Sequence, residues 1–320
     1  MSPLLNTAQL LLPLLLIAWI LLLPPKARLT LWVQGLGTAA LLLAMAWIAL
    51  WAAPPWWTPW VLGAALVMAW TRALRMQWRH QAAWLPSGGL AWLRFTLFLL
   101  LGTFGAFYAR QAWEAGRPPA GVPVADIAPP LAAGQYLVVH GGSQPLLNGH
   151  MKTLDPEVDR FAPWRGQSYA VDLIALDPVR SMLLWSQPEA ASAYAIHGTP
   201  VLAPCAGTVI ATENTRPDMP VPKMDRERML GNFVLLQCRD FQVVLAHLQP
   251  GSLSVTPGVA VIPGDRLGLV GNSGNSSRPH LHVHAQRGGT ADDPVRAEPM
   301  ALRIGGHYPV RNDRMIFRAR

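Results

Sequence analysis

No aspartate or glutamate occurs before Glu114, and only 14% of the 320 residues are charged while 51% are hydrophobic. The acid-free stretch holds seven of the 26 Lys and Arg residues; the other 19 face all 18 acids, so the formal charge of +8 belongs almost wholly to the front segment. Such a balance leaves no concentrated basic surface for nucleic acid, and none is expected as a partner. Without carboxylates the front segment also lacks the groups of an ion or proton relay, which argues against a transport role. Cysteine is scarce too, limited to Cys205 and Cys238.

What fills the front segment is apolar: residues 4–23, 29–51, 56–70 and 90–113. Each run approaches the roughly 20 residues that a helix needs to cross a bilayer. The third is the shortest and contains Pro59. The chain has no early positive charge ahead of a single short apolar core, so the pattern is that of a retained anchor rather than a cleaved signal peptide. Lys26 and Arg28 fall between the first two runs, and Arg72, Arg75 and Arg79 between the last two. Positive loops stay in the cytoplasm, so four spans would place both termini outside it. Eleven of the 14 tryptophans precede residue 113, in keeping with rings seated at headgroup level. Arg94, just inside the fourth run, is expected to reach back to the interface.

Residues 1–113 are therefore read as a four-helix transmembrane anchor and 114–133, with five prolines, as a Pro-rich linker. Residues 134–320 remain as one domain large enough for its own core. Its apolar runs are short and separated by turn residues, at 136–139, 169–175, 207–211, 233–237, 242–246, 259–262, 267–270 and 281–285. That rhythm predicts a mostly β, antiparallel-sheet domain. The charged, Pro-containing stretch 212–230 reads as a long surface loop. Cys205 and Cys238 each lie beside a predicted strand, and either a disulfide or two small buried hydrophobes is compatible with that placement.

The most chemically suggestive segment is Gly271-Asn-Ser-Gly-Asn-Ser-Ser-Arg-Pro-His280-Leu-His282-Val-His284. It lacks the Lys-Ser/Thr and following helix of a phosphate loop, and so reads as a tight reversal that presents a strand. Side chains two apart on a strand face the same way, which makes these imidazoles converge. Converging histidines suit a metal-centred hydrolytic site.

Read in order, the domain contains Tyr169-Ala-Val-Asp172, Pro204-Cys-Ala-Gly-Thr-Val209, Gly231-Asn-Phe-Val234, Leu245-Ala-His247-Leu248 and Gly264-Asp-Arg-Leu-Gly268 leading into the histidine segment. This series resembles the lysostaphin/LytM-type zinc endopeptidases of bacterial cell walls, over roughly residues 135–290. The resemblance implies Zn2+ as cofactor, with Asp172 and His282 as metal ligands and His247 and His280 as the catalytic pair that does not bind metal. The family's HxxxD motif calls for a histidine four residues before Asp172, where this chain has Ser168. A serine hydroxyl is a poor zinc ligand. His150 of Asn148-Gly-His150 is the leading replacement, because some sequences of this broad family pair Asn-x-His with a later Gln-x-Tyr-Ala-x-Asp, here Gln167 to Asp172; His140 is the lesser candidate. His284 is placed behind the ligands or at the surface, and His197 and His307 at the surface.

With the apolar front segment read as an anchor, the resemblance implies a membrane-anchored zinc metalloendopeptidase acting on peptidoglycan stem peptides or cross-bridges. It would sit in the bacterial cytoplasmic (inner) membrane as a multi-pass protein with its C-terminal domain extracytoplasmic. The alternative is a catalytically degenerate LytM-like domain that serves as an envelope scaffold or regulator, binding peptidoglycan or a partner protein. Ser168 favours that alternative, and the intact His247, His280 and His282 oppose it.

Overall fold

The computed structural model describes residues 3–52, 54–177 and 187–319, and the chain divides into two compact units, Met1–Glu114 and Ala115–Arg320. The first is helical: α1 (Pro3–Leu22), α2 (Arg28–Ile48), α3 (Thr58–Arg79) and α4 (Gly89–Glu114). By length and composition two of these, α2 and α4, suffice to cross a membrane, and α1 contributes the shorter apolar helix Thr7–Leu22. Four spans are thus not established. The difference lies mainly in α3, which runs past the apolar stretch and takes Arg72, Arg75 and Arg79 into its own last turns rather than leaving them in a loop.

Close packing of α2 on α4 depends on small residues. A Cβ on Gly102 would lie 2.8 Å from the Cα of Gly37, so the two backbones meet with no room for a side chain between them. Arg94 does not simply extend outward. Its guanidinium donates to Gln34 Oε1 at 2.6 and 3.0 Å and to the Leu23 carbonyl at 2.7 Å, and it lies 5.3 Å from the Trp19 ring.

The second unit is mostly antiparallel sheet. Its strands are β1 (Val124–Ile127), β2 (Gly134–His140), β3 (Val171–Ala175), β4 (Pro200–Leu202), β5 (Gly207–Glu213), β6 (Asn232–Gln237), β7 (Gln242–Leu248), β8 (Ala260–Val261), β9 (Arg266–Leu269), β10 (Leu281–Arg287), β11 (Glu298–Ile304) and β12 (Arg314–Phe317). The main sheet runs β12-β2-β3-β10-β7-β6-β5-β8, with β11 also on β10 and β1 parallel to β11; β4 and β9 form a separate ribbon. Strand β10 is central, pairing with β7 on one side and with β3 and then β11 on the other. Leu281, Val283 and Ala285 face the principal core together with Val243, Leu245 and Leu173.

The stretch expected to act as a linker is partly built into this unit. Ala125, Ile127 and Leu131 are core residues, β1 pairs residue for residue with β11, and Leu131 bridges Val201. Proline stiffens these residues without keeping them from an edge strand, where a missing N–H costs no ladder bond. Cys205 and Cys238 are disulfide-bonded, with Cα atoms 6.0 Å apart. Residues 212–230 are clasped to the turn that precedes β10: the Asn272 amide donates to Asp218 Oδ1 at 2.6 Å, its side chain donates to the Met219 carbonyl, and the Asp225 amide donates to the Gly274 carbonyl. Gly274 has a φ of 78° there, a left-handed conformation that glycine adopts without penalty.

Candidate metal centre

Strand β10 builds the site by alternation. With its odd-numbered residues turned into the core, His282, His284 and Gln286 share the opposite face, and all three are buried. The register sets His282 opposite Asp172 of β3 and Ala246 of β7. Asp172 therefore reaches the histidine face from one neighbour, and His247, one residue beyond Ala246, from the other. His247 adopts a φ of 63°, a left-handed conformation uncommon for a residue bearing a Cβ. It is fixed by Nδ1 donating to the Ser273 carbonyl at 2.9 Å. Its ring lies 4.7 Å from that of His280 and 5.6 Å from that of His282.

His150 arrives from a separate piece of chain, the 3-10 segment Gly149–Leu154. Asn148 ties this segment in place. Its Oδ1 accepts from the His150 amide at 3.2 Å, while its Nδ2 donates to the Ala170 carbonyl at 3.0 Å. The Asn-x-His and Gln-x-Tyr-Ala-x-Asp patterns are thus joined by a hydrogen bond between them. Ser168, fully buried, sits behind this arrangement: its Oγ donates to the Arg165 carbonyl and lies 2.8 Å from Thr153 Oγ1, which donates to the His150 carbonyl. The serine hydroxyl packs against the threonine that holds the His150 carbonyl.

Asp172 is the hub. His150 Nε2 lies 2.9 Å from its Oδ2, and His282 Nδ1 and His280 Nε2 lie 3.0 and 3.6 Å from its Oδ1. One donor atom each from His150, Asp172 and His282 falls within a mutual 4.8 Å. Burial opposes ionisation of Asp172, but His150, His280 and His282 overcome it and hold the carboxyl well below its usual range. Burial likewise pushes the His282 imidazole down to about 4 and those of His247 and His284 well below their usual value, with neighbouring histidines adding to the shift for the latter two. The result is an ionised carboxylate beside a buried His282 imidazole held neutral, the protonation states that those two groups need as metal ligands.

The five candidate residues meet in one place. His140 stands beside them, its ring 5.4 Å from that of His150, with Nδ1 accepting from the Gly149 amide at 3.1 Å. Burial drives it down to about 3, and it is not one of the three clustered donors. His197 and His307 pair with Asp218 and Asp313 at 2.8 and 2.7 Å, outside that cluster. Gln286 is a participant that sequence reading did not single out. Its Oε1 lies 3.0 Å from His284 Nε2, and His284 Nδ1 lies 2.9 Å from His282 Nε2. Continued alternation of polar residues along an otherwise apolar strand was the available signal.

Residues 189–294 match the family model of Peptidase family M23. The match contains His247, His280 and His282, whereas His150 and Asp172 precede it. Among curated proteins, an uncharacterized metalloprotease of Haemophilus influenzae is 34% identical over 99 residues, which are 31% of this chain and 18% of that relative. The chain therefore spans less than a fifth of that relative's length. Similar solved structures include a mutant catalytic domain of the prophage-encoded M23 protein EnpA from Enterococcus faecalis, at 22% identity over 38% of this chain and 68% of that one with a TM-score of 0.26. The catalytic domain of the antimicrobial peptidase lysostaphin from Staphylococcus simulans is 21% identical over 39% of this chain and 71% of that one, also with a TM-score of 0.26.

Proposed function

Because this chain carries a LytM-type M23 peptidase domain, we propose that it is a zinc metalloendopeptidase cleaving peptide bonds in peptidoglycan stem peptides or cross-bridges. The observation that carries the proposal is the meeting of His150, Asp172 and His282 within a mutual 4.8 Å, with His247 and His280 beside them but committed elsewhere through Nδ1. Two imidazole nitrogens and a carboxylate oxygen form a donor set suited to zinc, and three protein ligands are the number found in catalytic sites. These residues fit the ion: Asp172 and His282 are buried, His150 is half-buried, and all three are pre-positioned around one point. When bound, zinc supplies Lewis acidity that makes water nucleophilic near neutral pH.

The remaining chemistry falls to the two free histidines. His247, with its Nδ1 hydrogen given to Ser273, presents Nε2 as a base able to take a proton from the attacking water. The same nitrogen can pass that proton to the departing amine. His280 gives its Nδ1 hydrogen to the Arg278 carbonyl at 2.8 Å and turns Nε2 toward Asp172. In its protonated form it donates to the oxygen on which negative charge develops.

The helical unit would serve as a multi-pass anchor in a bacterial cytoplasmic membrane, with the catalytic unit outside the cytoplasm facing the wall. Support comes from the positive residues around α1, α2 and α3, which fall to one side under a four-span arrangement, and from apolar side chains turned outward on all four helices. The test is digestion of purified peptidoglycan by the full chain in detergent with zinc present, read as new peptide amino groups and altered muropeptide masses. Cleavage abolished by chelation and by His247→Ala is expected. A folded, zinc-loaded chain that binds peptidoglycan without cutting it would replace the enzyme with the scaffold.

A further inference from the structure

The line of side chains running away from the metal centre has only one consistent hydrogen-bond direction. Gln286 Nε2 lies 2.6 Å from the Pro294 carbonyl and 3.4 Å from Gln242 Oε1. The orientation of Gln242 is itself fixed by Gly289, whose amide donates to Oε1 and whose carbonyl accepts from Nε2, both at 2.8 Å. Gln286 thus faces two acceptors with one end of its amide, and that end must be the NH2. Its Oε1 is left toward His284 Nε2 at 3.0 Å, so that nitrogen must carry hydrogen. A neutral imidazole has one donor and one acceptor nitrogen. His284 Nδ1 is then the acceptor, and His282 Nε2, 2.9 Å away, must be the donor.

We propose that His284 and Gln286 are positioning residues whose relay, anchored on the Pro294 carbonyl, holds His282 in its Nε2–H tautomer and leaves Nδ1 bare toward Asp172 as a metal ligand. The inference rests on the metal site of the proposed function. The reverse direction fails on chemistry: it would turn the Gln286 oxygen against both the Pro294 carbonyl and Gln242 Oε1, with no hydrogen in either contact. Nor can Gln286 swing aside, because Gly166 and Gly289 pack so closely that a Cβ on either would collide with its amide. At the far end, a bare Nδ1 lies 3.0 Å from an oxygen of Asp172. Two lone pairs at that distance repel unless a cation lies between them, and a metal ion held by both satisfies the arrangement. A hydrogen-bonded second imidazole here does what a carboxylate or carbonyl does behind many metal-bound histidines, fixing tautomer and ring orientation.

The test uses the full chain in detergent with isotopic nitrogen in its histidine rings. In zinc-loaded wild type, NMR is expected to show His282, assigned by the signals lost in His282→Ala, with hydrogen on Nε2 and none on Nδ1, and His284 as the Nε2–H tautomer alone. Zinc affinity, measured by competition with a chelator, should fall roughly 10- to 100-fold in His284→Leu. His284→Asn keeps an acceptor close to the Nδ1 position and should restore most of the affinity, which a loss of packing alone would not allow. Hydrogen on His284 Nδ1 in the zinc-loaded wild type overturns the inference without recourse to any variant. So does zinc affinity unchanged in a folded His284→Leu chain. Wild type that binds no zinc at all fails at the earlier step and refutes the metal site itself.

Discussion

The two units of the molecule use similar apolar residues in opposite ways. In the helical unit large hydrophobic side chains point outward, with Trp60, Trp78 and Leu90 76%, 78% and 84% exposed, whereas in the β unit Leu173, Leu245, Leu281 and Val283 are completely enclosed. Polar groups divide along the same line. Among the described residues, the buried side-chain atoms with no partner belong to Gln9, Arg28, Thr30, Gln34, Thr38, Trp70 and Gln77 of the helical unit, and to Tyr194 alone in the β unit. The buried polar residues around Asp172 and His282 are bonded to one another or to backbone. One unit is thus built to present apolar surface, and the other to hold a mutually satisfied polar network on one face of a sheet.

The contrast would be broken most severely by removing chemistry without disturbing structure. His247→Ala is expected to lower the rate of peptide cleavage by about 10²–10⁴-fold while zinc content stays the same, checked by muropeptide release and elemental analysis.

Acid should separate the units next. Groups whose pKa is depressed by folding add stability that is present above the unfolded value and lost as pH falls through the folded one. His282 falls from 6.5 to about 4, and His247, His284 and Asp172 shift in the same direction. The metal-stripped β unit should therefore lose thermal stability progressively as pH is lowered from about 6.5 to about 4. The helical unit, with no acid before Glu114, should not follow it. Melting monitored by circular dichroism across that range makes the comparison.

Gly102→Leu attacks the other side. A side chain forced between α4 and the backbone at Gly37 should destabilise the helical unit by about 1–3 kcal/mol, read as earlier unfolding in detergent, with zinc content unaltered. Ser168→Ala should have the smallest effect. Losing the hydroxyl that donates to the Arg165 carbonyl beside Thr153 costs about 1 kcal/mol and slightly weakens zinc binding, measurable by chelator competition. Abolition of binding would instead make the serine a ligand.

Legibility in the sequence followed locality. Strands β2, β3, β5, β6, β7 and β10 declare themselves through short apolar runs between turn residues, and the clustered donors followed from alternation on β10 together with the ordered motifs. β1 and β11 were hidden because their pairing joins residues almost 180 positions apart, Val124 with Ala301, and β1 lies among prolines. The length of α3 was misjudged because its arginines interrupt hydropathy without interrupting the helix. His150 could be suspected only from two short patterns, since the Asn148 to Ala170 hydrogen bond that joins them exists only in the folded chain. The role of Gln286 depends on Pro294 and Gly289, which no periodicity connects to it.

The central claim is that His150 completes a metal site that Ser168 leaves unfilled. Its most direct test is the zinc content per chain of the full-length protein, purified in detergent and compared with folded His150→Ala and His282→Ala variants. One zinc per wild-type chain, lost in both variants, is the predicted result. A folded wild-type chain that takes up no zinc when supplied with it, or a His150→Ala variant that retains its zinc, would contradict the account.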